Sequence, residues 1–94
     1  MLRIEFATQF KKDYKLAKKR GLDVQKLADV MTLLQNEIPL PEKYRDHALI
    51  NSRDYQNARE CHIEPDWLLV YQIREEILSL KLLRTGTHSD LFKN

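Results

Sequence analysis

Residues 67–83 read WLLVYQIREEILSLKLL, which is two apolar runs separated by a short charged segment. Arg74-Glu75-Glu76 is a tight connection between them, so the pattern predicts strands over residues 67–73 and 77–85. A connection this short favours antiparallel pairing. Both strands are apolar enough to lie centrally in a sheet that helices cover on one face.

Two further strands are predicted upstream of this pair, over residues 44–50 and 54–63. Glu64-Pro65-Asp66 forms the turn that leads from the second of them into residue 67. Ile38-Pro39-Leu40-Pro41 is an extended connector, and no linker is long enough to separate two domains.

The N-terminal part predicts one strand and two helices. Leu2–Phe6 alternates apolar and charged residues as a half-buried strand does, and Thr8 is a plausible N-cap for a helix over residues 9–20. Gly21 supplies a left-handed stop. Asp23 caps a second helix that ends by Glu37. Apolar residues at helical spacing face the core in both helices, namely Phe10, Tyr14 and Ala17 in the first and Val24, Leu27, Ala28, Met31 and Leu34 in the second.

The predicted element order is β-α-α-β-β-β-β, which defines an α+β fold. An N-terminal strand and a helical hairpin pack on a mainly antiparallel sheet. Ninety-four residues suit one small domain over residues 1–94.

Composition excludes several classes of protein. Charged residues make up 32% and hydrophobic residues 43%, as in a globular domain. No apolar run approaches the roughly 18 residues that a membrane span needs, and Met1–Phe6 does not resemble a signal peptide. The single Cys61 cannot form an internal disulfide. These features predict a cytoplasmic protein without a membrane partner.

The net charge of +2 conceals an uneven distribution. Residues 1–26 contain eight Lys/Arg against three Asp/Glu, whereas residues 27–94 contain eight against eleven. The predicted first helix carries a cluster of lysines that suits a phosphate backbone but is also typical of a solvated surface. The lysines are Lys11, Lys12, Lys15, Lys18 and Lys19.

The histidines lie in the second half of the chain, at His47, His62 and His88. Imidazole exchanges protons near neutrality, so these residues are candidates for general acid–base catalysis. They can also be ordinary structural residues, or zinc ligands together with Cys61 and Asp66. Zinc is disfavoured because no CxxC, HxxxH or HExxH pair is present.

Strand alternation arranges the residues around His62. Glu60 and His62 should share one face of their strand, and Arg59 and Cys61 the other. Asp66 should lie near His62 across the turn. His88 should follow the last strand, so both motifs can line one surface if the last strand adjoins the strand that begins at residue 67.

Two further side chains suit a nucleic-acid substrate. Trp67 could stack on a nucleobase or could equally be a core residue. Arg84 could hold a phosphate through its planar guanidinium, or pair with a neighbouring acid. The sequence has no G-x-S-x-G around a serine and no glycine-rich phosphate loop.

These motifs resemble the YafQ branch of the RelE-type bacterial toxins of type II toxin–antitoxin pairs. The resemblance covers nearly the whole chain, and two runs are specific to the branch: His62-x-Glu64-Pro65-Asp66-Trp67 and Arg84-Thr85-Gly86-Thr87-His88. Shorter matches are Met31-Thr32-Leu33-Leu34, Leu40-Pro41, Asp46-His47, Tyr71 and Leu91-Phe92.

The resemblance implies a microbial-ribonuclease-like sheet and metal-independent cleavage of messenger RNA in the ribosomal A site, with no cofactor. In that chemistry a 2′-hydroxyl attacks the adjacent phosphate and leaves a 2′,3′-cyclic phosphate. Residues that match proton-transfer and electrostatic positions of the family are His47, His62, Asp66 and His88. Arg84 matches a phosphate-contacting position, and Trp67 and Phe92 match aromatic residues at the rim.

The resemblance also suggests a division of roles. His88 would protonate the leaving oxygen, and His62 or His47, oriented by Asp66, would accept the 2′-hydroxyl proton. Glu60 stands where a well-known member has aspartate, and it is a further candidate without an assigned role.

The implied partners are a cognate antitoxin, the ribosome with its messenger RNA, and operator DNA only as a toxin–antitoxin complex. The lysine-rich helix would contact ribosomal RNA. The alternative hypothesis is a non-catalytic, toxin-like module that represses an operator together with its antitoxin.

Overall fold

The computed structural model describes residues 1–50 and 55–92. Its strands are β1 (Arg3–Phe6), β2 (His47–Ala48), β3 (Arg59–Glu64), β4 (Trp67–Arg74) and β5 (Ser79–Gly86). They form one sheet in the order β1-β5-β4-β3-β2. β1 runs parallel to β5, and the other neighbouring strands pair antiparallel. The predicted α+β fold with a mainly antiparallel sheet is confirmed, and the two strands predicted to be central, β4 and β5, both lie inside the sheet.

The helices are α1 (Thr8–Lys19), α2 (Val24–Gln35) and a single turn, α3 (His88–Leu91), which the sequence pattern did not predict. Asp23 caps α2 as expected, because its side chain accepts a hydrogen bond from the backbone N–H of Gln25 at 3.1 Å. The predicted Thr8 cap is wrong, since Ala7 is the N-cap of α1 and makes no side-chain cap bond. No helix in the described ranges is long and apolar enough to cross a membrane.

The main core lies between the helical hairpin and one face of the sheet. Its buried members from the helices include Phe10, Ala17, Leu27 and Leu34, as their spacing predicted. Val30 is also fully buried, whereas Met31 is only partly so. A smaller cluster covers the other face of the sheet and contains Ala58, Leu68, Val70 and Leu91.

The predicted strand bounds fail where left-handed residues interrupt the extended backbone. Residues 42–44 form a 3₁₀ turn, and Arg45 follows with φ 47°, so the strand predicted over 44–50 is reduced to β2. Asn57, with φ 56°, delays β3 until Arg59; residue 54, where that strand was expected to begin, lies outside the described residues. Leu78, with φ 50°, likewise moves the start of β5 to Ser79.

The turn α3 fixes the chain just beyond β5. Thr87 and Asp90 form a reciprocal capping box, in which each side chain accepts a hydrogen bond from the other residue's backbone N–H. Gly86 permits this close approach, because a Cβ there would lie 3.0 Å from an Asp90 carboxylate oxygen. The first residue of α3 is His88, so the turn places a candidate catalytic group.

Candidate active site

The fold brings the three histidines together. The ring centroid of His62 lies 6.3 Å from that of His47 and 5.7 Å from that of His88, so His62 occupies the middle. On β3, Glu60 pairs with Val70 and His62 pairs with Leu68, and both partners belong to the smaller cluster. The histidine cluster (His47, His62 and His88) therefore lies on the sheet face opposite the helical hairpin.

Glu60 is the carboxylate between two of these imidazoles. Its Oε1 lies 3.2 Å from Nε2 of His47 and 3.7 Å from Nε2 of His62, and the residue is only 5% exposed. The sheet register explains the arrangement, because His47 and Glu60 are cross-strand partners and Glu60 and His62 share a face of β3. The sequence identified Glu60 as a candidate, and the structure places it at the centre of the site.

Asp66 contacts His88 rather than His62 or His47. Its Oδ1 accepts hydrogen bonds from Nδ1 of His88 at 2.8 Å and from the backbone N–H of His88 at 3.0 Å. These two bonds, the backbone one first, lower the pKa of the Asp66 carboxyl. The expectation that Asp66 orients His62 or His47 is therefore wrong in geometry, since Glu60 occupies that position.

Backbone carbonyls orient the other two imidazoles. Nδ1 of His47 lies 3.2 Å from the carbonyl oxygen of Ala48, and Nδ1 of His62 lies 3.3 Å from that of Pro65. A carbonyl oxygen only accepts, so each Nδ1 carries the proton in these bonds. In the neutral rings Nε2 is then the atom with a free lone pair, and both Nε2 atoms face Glu60.

Arg84 pairs with a neighbouring acid, which was one of the two alternatives that the sequence left open. Its Nε donates to Asp13 at 2.6 Å and its Nη2 at 3.2 Å, while Nη1 donates to the Tyr55 hydroxyl at 3.1 Å. The hydrogen bonds to Asp13 are the main reason that the pKa of Arg84 is raised. Asp13 also accepts from the backbone N–H of Thr85 at 3.1 Å, so it ties α1 to the end of β5.

Sequence reasoning did not single out Asp13. It lies three residues after Phe10 and four before Ala17, so it was the one acidic residue on the inner face of a lysine-rich helix. It is 8% exposed. A charged residue at such a position needs a buried partner, and that was the available signal.

The two predicted rim aromatics differ. Trp67 is 2% exposed in the main core, and its indole N–H donates to the Thr85 hydroxyl at 2.9 Å. It offers no free face for a nucleobase, so its predicted stacking role is wrong and the core alternative holds. Phe92 is 38% exposed, with its ring 6.5 Å from that of Tyr55 in an edge-on arrangement, and it remains a rim candidate.

Cys61 lies away from the histidine cluster. It is fully buried in the main core, on the opposite face of β3 from His62, as strand alternation predicted. Burial raises the pKa of its thiol to about 12, so the thiolate needed by a metal or a nucleophile is suppressed. Among the described residues, the group able to hold a metal ion is instead His47, Glu60 and His62, whose ligand atoms all lie within 4.8 Å of one another.

The five lysines of α1 are all exposed. Since α1 packs on the helix-covered face, they lie on the other side of the sheet from the histidine cluster. They therefore form an exposed basic surface that is separate from the histidine cluster.

This α+β fold, with its five-stranded sheet in the order β1-β5-β4-β3-β2, is that of the small toxins of RelE-like fold to which the chain is structurally similar. The chain belongs to the YafQ family, described as the bacterial toxin of type II toxin–antitoxin systems, whose model matches residues 2–93. It is 48% identical over 90 residues to the mRNA interferase toxin YafQ of Escherichia coli (strain B / BL21-DE3), covering 95% of this chain and 94% of the relative.

Solved structures agree with this assignment. The toxin in the crystal structure of the Escherichia coli DinJ-YafQ complex is 46% identical, with a TM-score of 0.87 over 98% of this chain and 99% of that one. A metal-bound toxin from Helicobacter pylori is also 46% identical, with a TM-score of 0.91 over 98% of this chain and 100% of that one.

Proposed function

We propose that this protein is an endoribonuclease toxin that cleaves messenger RNA by acid–base catalysis at the histidine cluster. The observation that carries the proposal is the separation of 5.7 Å between the rings of His62 and His88. That spacing places one proposed proton acceptor and one proposed proton donor beside each other on the same surface, where both can reach one phosphate. The name of the related mRNA interferase supports the same substrate class.

In the proposed reaction, Nε2 of His62 accepts the proton of a 2′-hydroxyl. The 2′-oxygen forms a bond to the adjacent phosphorus, and the bond from phosphorus to the 5′-oxygen breaks. His88, protonated on Nε2, gives its proton to that 5′-oxygen. The products are a 2′,3′-cyclic phosphate and a 5′-hydroxyl. The chain thus supplies the acid and the base from its own side chains.

Two carboxylates support these transfers. Asp66 lies 2.8 Å from Nδ1 of His88 and so fixes the orientation of the proposed proton donor. Glu60 lies 3.7 Å from Nε2 of His62 and 3.2 Å from that of His47. Its negative charge can therefore stabilise the positive charge that His62 gains when it accepts the proton. We assign His62 as the base because it lies between the other two rings. His47 is a second histidine that contacts Glu60 beside it.

Arg84 is the proposed phosphate contact. Its guanidinium is held by Asp13 and Tyr55, and its side chain is 18% exposed. These contacts fix the orientation of the Arg84 guanidinium. A phosphate would therefore bind a cation that is already oriented. Phe92, close to Tyr55, would border the bound nucleotide.

We further propose that cleavage depends on the ribosome and takes place in its A site. The net charge is only +2, and log affinity for RNA scales with the number of phosphates neutralised. If the ribosome holds the substrate, the protein does not need a high affinity for free RNA. The α1 lysines, away from the histidine cluster, would contact ribosomal RNA.

A cognate antitoxin is the proposed inhibitor, as the DinJ-YafQ complex of the relative suggests. It would cover either the basic surface of α1 or the histidine cluster. Operator DNA would be bound only by the toxin–antitoxin complex, and the setting is the cytoplasm.

The deciding experiment maps the 5′ ends of messenger RNA on purified ribosomes after adding this protein, with and without EDTA. Cleavage in A-site codons that persists with EDTA, and falls by about 10²–10⁴-fold for His88→Ala, supports the proposal. Loss of cleavage with EDTA would favour a metal-dependent reaction. Expression without antitoxin that leaves translation unimpaired would favour the non-catalytic module.

A further inference from the structure

The helix α3, which carries His88, is a single turn of 4 residues. Isolated helices shorter than roughly 12–15 residues are marginal in water, so the position of α3 depends on contacts with the rest of the fold. Leu91 supplies one contact, since it is 7% exposed in the smaller cluster on the histidine side of the sheet. Asp66 supplies a second through the backbone and ring of His88. A third contact comes from the helical hairpin.

The contact from the hairpin is an ion pair between Arg20 and Asp90, which are 70 positions apart. Nη1 of Arg20 donates to Oδ2 of Asp90 at 2.7 Å, and Nη2 lies 3.5 Å from Oδ1. This hydrogen bonding is the main reason that the pKa of the Asp90 carboxyl is lowered to about 2. The same Oδ2 accepts from the backbone N–H of Thr87 at 3.0 Å. One oxygen atom therefore joins the Arg20 guanidinium to the residue before His88.

The backbone of Arg20 is itself fixed, because this residue is the C-cap of α1. Its N–H donates to the carbonyl oxygen of Leu16 at 2.9 Å, and Gly21 follows with φ 81°, where the helix ends. Asp13, further back in α1, ties the helix to the end of β5. The guanidinium thus extends from an element that is packed on the sheet.

The charges around α3 explain why a cation is needed there. The negative charge of Asp90 acts on Asp66, where it opposes the lowering of the pKa by His88. Two carboxylates on one turn repel each other, and Arg20 offsets that repulsion because it pairs with Asp90. Loss of the Arg20 cation would therefore disturb the carboxylate that contacts His88.

We propose that Arg20 is a positioning residue for the cleavage reaction, which holds α3 through Asp90 and thereby keeps His88 in place beside Asp66. This inference rests on the proposed function, in which His88 is the proton donor. The side chains of the ion pair are 42% and 28% exposed, and such pairs contribute little to global stability. A misplacement of only about 1 Å, in contrast, can lower a catalytic rate by about 10²-fold. The effect of Arg20 should therefore appear in the rate rather than in the stability of the fold.

The first measurement uses the free protein and does not depend on cleavage. Amide hydrogen exchange, followed by NMR, compares wild type with Arg20→Gln and with Lys26→Gln, a control that loses another exposed ion pair, with Glu64. The amides of His88, Leu91 and Phe92 donate hydrogen bonds that hold α3. They should exchange about two- to fivefold faster in Arg20→Gln alone, while the amides of β4 exchange as in wild type. Unchanged exchange at α3 would overturn the proposal.

The second measurement is single-turnover cleavage on programmed ribosomes as the protein concentration is varied. Arg20→Gln should lower the maximal rate about tenfold and leave the concentration for half-maximal rate unchanged, because it alters the donor and not the binding surface. Arg20→Lys keeps a cation for Asp90 and should recover most of the rate. Lys26→Gln should cleave as wild type does. A wild-type rate for Arg20→Gln would contradict the proposed role.

A double variant separates positioning from direct contact with RNA. In the His88→Ala background the proposed donor is already absent, so adding Arg20→Gln should cause no further loss of rate. A loss that persists in this background, or a raised half-maximal concentration, would overturn the proposal in favour of an RNA contact by Arg20 itself. If wild-type protein does not cleave at all, the proposed function fails, and the exchange rates still decide whether Arg20 holds α3.

Discussion

Asp66 holds His88 through two hydrogen bonds to the same carboxylate oxygen, at 2.8 Å from the ring Nδ1 and 3.0 Å from the backbone N–H. One residue precedes β4 and the other follows β5, so antiparallel pairing of these strands creates the contact. The carboxylate fixes the position of His88 in α3. Because Nδ1 contacts Asp66, Nε2 is the ring nitrogen that faces away from it. This relationship fixes the orientation of His88, for which we propose the role of proton donor.

Asp66→Asn should lower the rate of cleavage about 10–100-fold with little change in fold, because an amide keeps a contact with the ring but removes the negative charge beside the proposed proton donor. The measurement is single-turnover cleavage on programmed ribosomes across pH, with circular dichroism of each variant. Glu64→Gln, a nearby exposed carboxylate paired with Lys26, is the control and should cleave normally. Equal rates for Asp66→Asn and wild type would remove Asp66 from the mechanism.

Asp13→Asn should destabilise the protein by about 1.5–3 kcal/mol, since it weakens charged hydrogen bonds to Arg84 in a largely buried place. It should also lower cleavage beyond the effect of unfolding, because the guanidinium of Arg84 loses its fixed orientation. Urea denaturation followed by cleavage assays on the folded fraction tests both parts. Asp29→Asn, on the exposed side of α2, should change neither quantity.

Asp90 predicts a specific pH dependence of stability. Its hydrogen bond from Arg20 and its place in the capping box lower its pKa from 3.8 to about 2. A lowered folded-state pKa contributes stability above the unfolded pKa, and that contribution is lost as pH falls through the folded one. Asp90→Asn should therefore cost about 1 kcal/mol at pH 7, and the difference from wild type should vanish between about pH 4 and pH 2. A constant difference across that range would show that the charge of Asp90 is not the source of the stabilisation.

Trp67 and Phe92 should separate stability from activity. Trp67→Phe removes the hydrogen bond to Thr85 and part of the core, so it should lower the free energy of unfolding by about 1–2 kcal/mol without altering cleavage by folded protein. Phe92→Ala should lower the rate of cleavage and leave the free energy of unfolding nearly unchanged. Thermal melts and cleavage rates, measured on the same preparations, test the pair. If fully folded Trp67→Phe protein cleaves more slowly than wild type, the stacking role of Trp67 would be supported after all.

Cys61 should be inert in the folded protein. Its thiol is buried, with a pKa raised to about 12, so a disulfide reagent should react only when the structure opens. The reaction rate should rise with urea, because partial unfolding exposes the thiol. Fast labelling of native protein would show that the core around Cys61 is accessible.

The sequence by itself determined most of the helices and strands, and which of their faces are buried. The alternation of residues 59–62 already separated Glu60 and His62 from Cys61, and the apolar runs of β4 and β5 identified the centre of the sheet. Helical spacing located Phe10, Ala17, Leu27 and Leu34 in the core. Such patterns are local, because burial of one face imposes a period of 2.0 or 3.6 on neighbouring residues.

Only the tertiary structure decided which charged groups meet. The contacts of Asp66 with His88, Glu60 with His47 and Asp13 with Arg84 join residues that are 22, 13 and 71 positions apart. Strand register and helix docking set such pairings, and the physical reason is that they minimise the free energy of the whole fold rather than of any short segment.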